Sequence, residues 1–138
     1  MNNEPTKNEF TLQVRVYYED TDAGGVVYHS NYLNFMERAR TELLRHIGFE
    51  QHTLIEKDEI LFAVRKISID YHKPALFNDL LDVKTRIAEL RRASLVFEQI
   101  ILNQLEEPIC KAEIRIACLN STTMKPEPIP ETILSELN

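Results

Sequence analysis

The amino-acid sequence predicts an α+β fold in which a five-stranded antiparallel sheet wraps around one long helix. Apolar and polar residues alternate over residues 10–18 and 108–119, as in half-buried strands, and three further segments are strand candidates. One long segment has the three- and four-residue apolar spacing of an amphipathic helix. The order along the chain is strand, helix and then four strands. Because one helix cannot cover both faces of such a sheet, the simplest packing curves the sheet around the helix.

The individual elements follow from the same patterns. Alternation over residues 10–18 predicts the first strand, and the spacing from Ser30 to Ile47 predicts the helix, with Ser30 as N-cap and Gly48 where the helix stops. Short polar links, such as residues 73–78 between the first two of the later strands, are interpreted as hairpins. The remaining expected elements are a short helix near residues 51–57, strands at 60–72, 79–90, 93–104 and 108–119, and a terminal helical turn after Pro130.

Length and composition limit the function classes. The 138 residues predict one domain (1–138), with residues 1–8 and 131–138 as peripheral tails, and 43% hydrophobic with 28% charged residues is typical of a globular protein. A net charge of −6 argues against nucleic-acid binding, which normally requires a broad basic face. The N-terminal residues show no apolar signal-peptide segment, and no apolar run is long enough to span a membrane, so we expect a cytoplasmic location.

The two cysteines are expected to be core thiols. Cys110 and Cys118 lie eight residues apart in one predicted strand, which separates them by roughly 26 Å at about 3.3 Å per residue. That distance is far too long for a disulfide.

Residues 19–25, the acidic turn, combine an unusual set of residue types. Glu19, Asp20 and Asp22 stand just before Gly24 and Gly25, which are two of the three glycines in the chain. Glycines permit a tight turn and close approach of a ligand, and the helix that follows offers unpaired N–H groups. A carboxylate facing a helix start is suited to attack on a carbonyl, directly or through water.

Simpler interpretations of the turn also exist. Asp20 and Asp22 are common turn and capping residues, and His29 near a helix start is often a surface residue. An aspartate-dependent phosphatase would need a buried parallel strand, but this strand alternates. A metal site of Asp20, Asp22 and His29 has suitable ligand types, yet no second cluster of His or Cys supplements it, and no G-x-S-x-G motif is present.

Longer motifs carry a family resemblance. The run V-R-V-Y-Y-E-D-T-D-A-G-G-V-V-Y-H-S-N-Y at 14–32, F-M-E-R-A-R-T-E at 35–42 and L-R-R-A-S-L-V-F at 90–97 closely resemble the 4-hydroxybenzoyl-CoA thioesterase-like hot-dog family. The resemblance is strongest to its Tol–Pal-associated acyl-CoA thioesterase (YbgC-like) branch and extends over nearly the whole chain. It implies a hot-dog fold, with the 30–47 helix inside the sheet, and hydrolysis of acyl-CoA to free acid and CoA with neither metal nor organic cofactor.

The resemblance also implies roles for individual residues. Asp22 matches the catalytic carboxylate, as nucleophile or general base, and the backbone N–H of His29 matches the donor that polarises the thioester carbonyl. Gly25 would let the thioester approach the backbone, and Tyr28 and Asn31 of the same motif are expected beside the substrate, with Asn31 also bracing the turn.

The substrate's CoA half needs local basic residues because the protein is acidic. Arg91 and Arg92 correspond to a basic pair in CoA-binding relatives and are expected to contact the CoA phosphates. A second pair, Arg65 and Lys66, is interpreted as a solvated sheet face.

The resemblance implies a homo-oligomer, a dimer or a dimer of dimers, with the active site at the subunit boundary. An acyl carrier protein or the inner face of the membrane are further partners that it suggests. Two other functions stay open: a non-catalytic adaptor that binds acyl thioesters, and a hydroxyacyl-thioester dehydratase that would recruit His29 and Glu37.

Overall fold

A five-stranded antiparallel sheet curves around one long helix in the computed structural model, which describes residues 9–137. This confirms the predicted α+β fold. The strand order across the sheet is β1-β3-β4-β5-β2, so β1 and β2 form its two edges. The elements are β1 (Glu9–Arg15), a 3-10 turn (Tyr18–Asp20), α1 (Asn31–His46), α2 (Gln51–Thr53) with a π-helical turn (Leu54–Asp58), β2 (Ile60–Tyr71), β3 (Leu80–Leu90), β4 (Ser94–Leu102), β5 (Pro108–Asn120) and α3 (Glu131–Leu137).

Helix α1 forms the centre of the core because its apolar residues lie on one face. Phe35, Met36, Ala39 and Leu43 are completely buried against the sheet. The helix ends where Gly48, at a φ of 99°, takes the left-handed conformation, and the amides of residues 48 and 49 donate to carbonyls of the last turn. At the other end Ser30 occupies the predicted N-cap position, but its side chain makes no capping hydrogen bond.

The sheet buries the apolar face of each central strand, as the alternation in β3 and β5 predicts. Cys110 and Cys118 are free and fully buried, as predicted. Burial raises the pKa of the Cys110 thiol to about 12 and that of Cys118 to about 11.

Two predicted details of the strands are wrong. Strand β1 stops at Arg15, because the chain tightens into a 3-10 turn in which Tyr18 is exposed and stacks on Phe77, with ring centroids 4.0 Å apart. The 73–78 link is not a hairpin, because β2 pairs with β5 and β3 pairs with β1. The link instead carries the chain from one sheet edge towards the other, past the acidic turn, where the Val27 amide donates to the Ala75 carbonyl (2.9 Å).

The C-terminal segment differs from the expected peripheral tail. It forms α3, in which Ile133 is 1% and Leu137 is 6% exposed, and both side chains join the core cluster. The expected N-terminal tail, residues 1–8, and the last residue of the C-terminal tail, Asn138, lie outside the described residues. Within residues 9–137, no helix has both the length and the apolar character needed to cross a membrane.

Candidate active site

Backbone hydrogen bonds fold the acidic turn back towards the start of α1. The amide of Asp22 donates to the carbonyl of Val26 (2.9 Å), and that of Gly25 donates to the carbonyl of Asp22 (3.0 Å). Gly25 has a φ of 79°, which explains a glycine at this position. The amide of Tyr28 donates to the carbonyl of Asp20 (2.9 Å), so the residues before α1 lie beside the acids.

The two aspartates of the turn have different environments. The carboxylate of Asp20 is 8% exposed and accepts from the Tyr17 amide (2.8 Å) and from Nδ2 of Asn31 (2.7 Å). Asp22 is exposed, and its Oδ1 accepts from the Gly24 amide (2.8 Å). No donor in residues 9–137 bonds its other oxygen, so Asp22 retains an acceptor for a substrate or a water.

Gly24 has a specific reason to be glycine. A Cβ at this position would lie 3.2 Å from Oδ1 of Asp22 and would crowd the carboxylate. Both glycines of the turn therefore have local functions, one in backbone conformation and one in access to Asp22.

The two residues before α1 have backbone amides that remain available. The N–H groups of His29 and Ser30 find no acceptor among the described residues, whereas the Asn31 amide is already bonded to the Tyr28 carbonyl (2.8 Å). The helix dipole adds a partial positive charge at this end. Together these groups can stabilise a developing oxyanion.

Tyr71, at the end of β2, also belongs to this region, although the sequence interpretation missed it. Its hydroxyl donates to the His29 carbonyl (3.1 Å), and its ring lies edge-on to the His29 imidazole with centroids 6.4 Å apart. Burial raises the pKa of the Tyr71 phenol, so the hydroxyl stays protonated and able to donate. Tyr32 packs beside it, 5.8 Å between centroids, and accepts from the Ala75 amide (3.0 Å). No local pattern signals these contacts, because they depend on where β2 ends.

The remaining expected site residues are only partly brought together. Tyr28 is exposed with its ring 4.5 Å from the His29 imidazole, while the side chain of Asn31 is engaged with Asp20. His29 and Glu37, the pair that a dehydratase would recruit, form no hydrogen bond or ion pair within residues 9–137; Glu37 instead accepts from the Thr41 hydroxyl (3.5 Å). No group of three or more metal-ligating side chains occurs in this described part of the chain.

Arg91 and Arg92 lie at the other end of the sheet. They form the turn between β3 and β4, whereas the acidic turn and Tyr71 lie at the end where β3 begins. The length of β3, 11 residues, corresponds to about 33 Å. Arg91 is paired with Glu89 (2.5 Å) and lines one surface groove together with Arg65, Lys66 and Arg115.

Comparison with known proteins adds the family. A model described as the thioesterase-like superfamily matches residues 16–137. The chain is 46% identical over 127 residues to the acyl-CoA thioester hydrolase YbgC of Escherichia coli O157:H7, covering 92% of this chain and 94% of that protein. It is also 46% identical over 126 residues to the acyl-CoA thioesterase YbgC of Haemophilus influenzae, covering 91% and 92%.

Solved structures agree in fold. A probable thioesterase from Bartonella henselae superimposes with a TM-score of 0.84 at 41% identity, covering 88% of this chain and 99% of that one. A 4-hydroxybenzoyl CoA thioesterase mutant in complex with 4-hydroxybenzoyl CoA gives a TM-score of 0.86 over 95% of this chain and 99% of that one. At 17% identity the second similarity concerns the fold alone.

Proposed function

The chain belongs to the thioesterase-like hot-dog superfamily, and from this membership we propose that Asp22 is the carboxylate with which it hydrolyses acyl-CoA thioesters. The protein is an acyl-CoA thioester hydrolase, which releases a free acid and CoA. The observation that carries the role of Asp22 is its exposed carboxylate oxygen, which is unbonded among residues 9–137 and stands on a turn that folds back to the start of α1.

Two routes use the same carboxylate. In one, Asp22 takes a proton from water while the water oxygen bonds to the thioester carbon; in the other, Asp22 itself forms that bond and water later cleaves the resulting anhydride. In both, the carbon–sulfur bond breaks and the thiolate leaves to be protonated as CoA. A thioester carbonyl is weakly stabilised by resonance, so one carboxylate and an oriented oxyanion site suffice.

The start of α1 provides the oxyanion site. The amides of His29 and Ser30 are the free donors there, and charge on the carbonyl oxygen increases as the tetrahedral state forms. Tyr71 positions this segment by bonding the His29 carbonyl, which belongs to the same peptide unit as the Ser30 amide. Gly25 leaves room at the backbone, Tyr28 flanks the substrate, and Asn31 acts mainly by fixing Asp20.

We also propose a cytoplasmic location and a single domain over residues 1–138. A further proposed partner is an acyl carrier protein or the inner face of the membrane. The family membership and the continuous core from β1 to α3 support the single domain.

We also propose a homodimer formed by pairing β2 strands. The outer edge of β2 is unpaired in the described chain, and Val64 and Ile67 on this strand are 50% and 37% exposed. An unpaired apolar edge favours association with another strand. A two-fold axis there would bring the Arg91-Arg92 end of one sheet beside the acidic turn of the other, so that the partner subunit would bind the CoA phosphates. Light scattering should report a dimer or a dimer of dimers at micromolar concentration, and a monomer would contradict this arrangement.

The decisive experiment measures thiol release from acyl-CoAs of increasing chain length by the wild type and by Asp22→Asn. The substitution preserves size but removes the charge, so turnover should fall by at least about 100-fold. The chain-length series would also define the acyl preference. An active Asp22→Asn variant would refute the proposed role, and a wild type that binds acyl-CoA without releasing thiol would indicate an adaptor.

A further inference from the structure

A cavity lies away from the acidic turn, between the later turns of α1, the sheet and α3. Its volume is about 90 Å³, and its walls are mainly apolar, with Phe62, Phe97 and Ile133 among them. Two charged side chains of α1, Glu37 and Arg40, also line it. None of residues 19–31 contributes to the walls, so the cavity is separate from the proposed hydrolytic site.

Arg40 is the one buried basic residue of the described chain, with 8% exposure. Its Nη1 donates to Oε1 of Gln99 (2.9 Å), a glutamine that is itself 1% exposed. The amide nitrogen of Gln99 is fixed in turn by the Met36 carbonyl (2.9 Å) and the Thr85 hydroxyl (2.8 Å). The guanidinium is therefore held in one orientation by a neutral network.

The other guanidinium nitrogens of Arg40 have unused donors. Nε and Nη2 form no hydrogen bond within residues 9–137, and no side-chain nitrogen or oxygen described there is both buried and unpartnered. These nitrogens must therefore reach accessible space, and the space that Arg40 lines is the cavity.

The charge of Arg40 also lacks a direct counter-ion. No carboxylate of the described chain forms an ion pair with it, and burial lowers the pKa of the guanidinium, an effect that Glu37 partly opposes. The Glu37 carboxylate is near enough to attract the Arg40 charge electrostatically, but its hydrogen bond is with the Thr41 hydroxyl. A buried cation with free, planar donors beside apolar walls is complementary to a carboxylate that carries an apolar tail.

We propose that this cavity binds a monocarboxylate with a short apolar tail, its carboxylate on Nε and Nη2 of Arg40 and its tail along Phe62 and Phe97. The ligand belongs to the same chemical class as the acid that thioester hydrolysis releases.

Calorimetric titration of the full chain with hexanoate and with the neutral isostere hexanamide tests this directly. Hexanoate should bind the wild type at least about tenfold more tightly than hexanamide, because charge-assisted hydrogen bonds form only with the carboxylate. Arg40→Gln removes the charge and the Nη donors, and it should weaken hexanoate binding by at least about tenfold. Arg40→Lys should restore part of the affinity.

Two variants of the same helix serve as matched controls. Arg38→Gln changes the net charge as Arg40→Gln does. Because Arg38 does not line the cavity, hexanoate affinity should stay unchanged in this variant. Glu37→Gln removes the nearby negative charge and should tighten hexanoate binding about threefold. A uniform weakening by Arg38→Gln and Arg40→Gln would indicate a general charge effect and overturn the site.

Equal affinity of the wild type for hexanoate and hexanamide would also overturn the proposal, as would unchanged hexanoate affinity in folded Arg40→Gln. If Arg40→Gln does not fold, the NMR signal of the Arg40 Nε–H in the wild type decides. It should shift with hexanoate and not with hexanamide, and an unmoved signal refutes the site. The binding experiment does not measure turnover, so a negative result says nothing against the role of Asp22. A negative result in the Asp22 experiment likewise says nothing against the carboxylate site.

Discussion

Replacing Asp20 with alanine should destabilise the protein, because the Asp20 carboxylate accepts two hydrogen bonds in a largely buried position. The bonds come from the Tyr17 amide (2.8 Å) and from Nδ2 of Asn31 (2.7 Å). Hydrogen bonds to charged groups are worth about 1.5–3 kcal/mol each. Water can reach the exposed neighbourhood of Tyr17, so we expect Asp20→Ala to lower the free energy of unfolding by about 2–4 kcal/mol.

Urea denaturation with linear extrapolation measures this loss. Glu19→Ala is the matched control, since Glu19 is an exposed acid in the same 3-10 turn and its side chain makes no hydrogen bond within residues 9–137. Asp22→Ala should cost less than about 1 kcal/mol, because it removes one exposed hydrogen bond. A loss below about 1 kcal/mol for Asp20→Ala, or equal losses at Asp20 and Asp22, would refute the division between a structural and a catalytic acid.

Two further predictions concern Tyr71 and the cysteines. Tyr71→Phe removes the hydroxyl that fixes the His29 carbonyl, so kcat should fall about fivefold with KM unchanged, whereas Tyr18→Phe, whose hydroxyl makes no hydrogen bond in the described chain, should leave both unchanged. The pKa of Cys110 is raised from about 9 to about 12 and that of Cys118 to about 11, so above pH 9 the unfolded chain loses these protons while the folded chain keeps them. The free energy of unfolding should therefore be highest below pH 9 and decline towards pH 11. In urea titrations this decline should be shallower for a Cys110→Ala/Cys118→Ala variant, and an equal slope would show that the two thiols are not its cause.

The parts of the fold that the sequence predicts well are those determined by local spacing. Helix α1 ends close to the expected position because Gly48 takes the positive φ that other residues avoid. Strand β5, predicted over 108–119, occupies Pro108–Asn120, since buried and less buried residues alternate from Cys110 to Cys118. In both elements the determining contacts lie within a few residues along the chain.

Apart from the end of β1, where a local 3-10 turn replaces the strand, the wrong predictions concern contacts between residues far apart in sequence. The 73–78 link has the length and polarity of a hairpin, and only the pairing of β2 with β5 shows that it is a crossover. The C-terminal segment has apolar residues at helical spacing, but only the packing of α3 shows that Ile133 and Leu137 join the core. The contact between Tyr71 and His29 spans 42 positions, which no local pattern encodes.

The distribution of hydrogen bonds shows which acid of the polar turn has a structural role and which remains available for catalysis. Asp20 is used by Tyr17 and Asn31, and Asn31 also binds Asn34. The backbone of the acidic turn is bonded to itself and to Tyr28. The groups without partners in residues 9–137 include one oxygen of Asp22 and the amides of the two residues before α1, an acceptor and two donors. Hydrolysis of a thioester needs one group that accepts a proton or attacks, and donors for the oxyanion, so the unbonded groups of this turn match the requirements of the reaction.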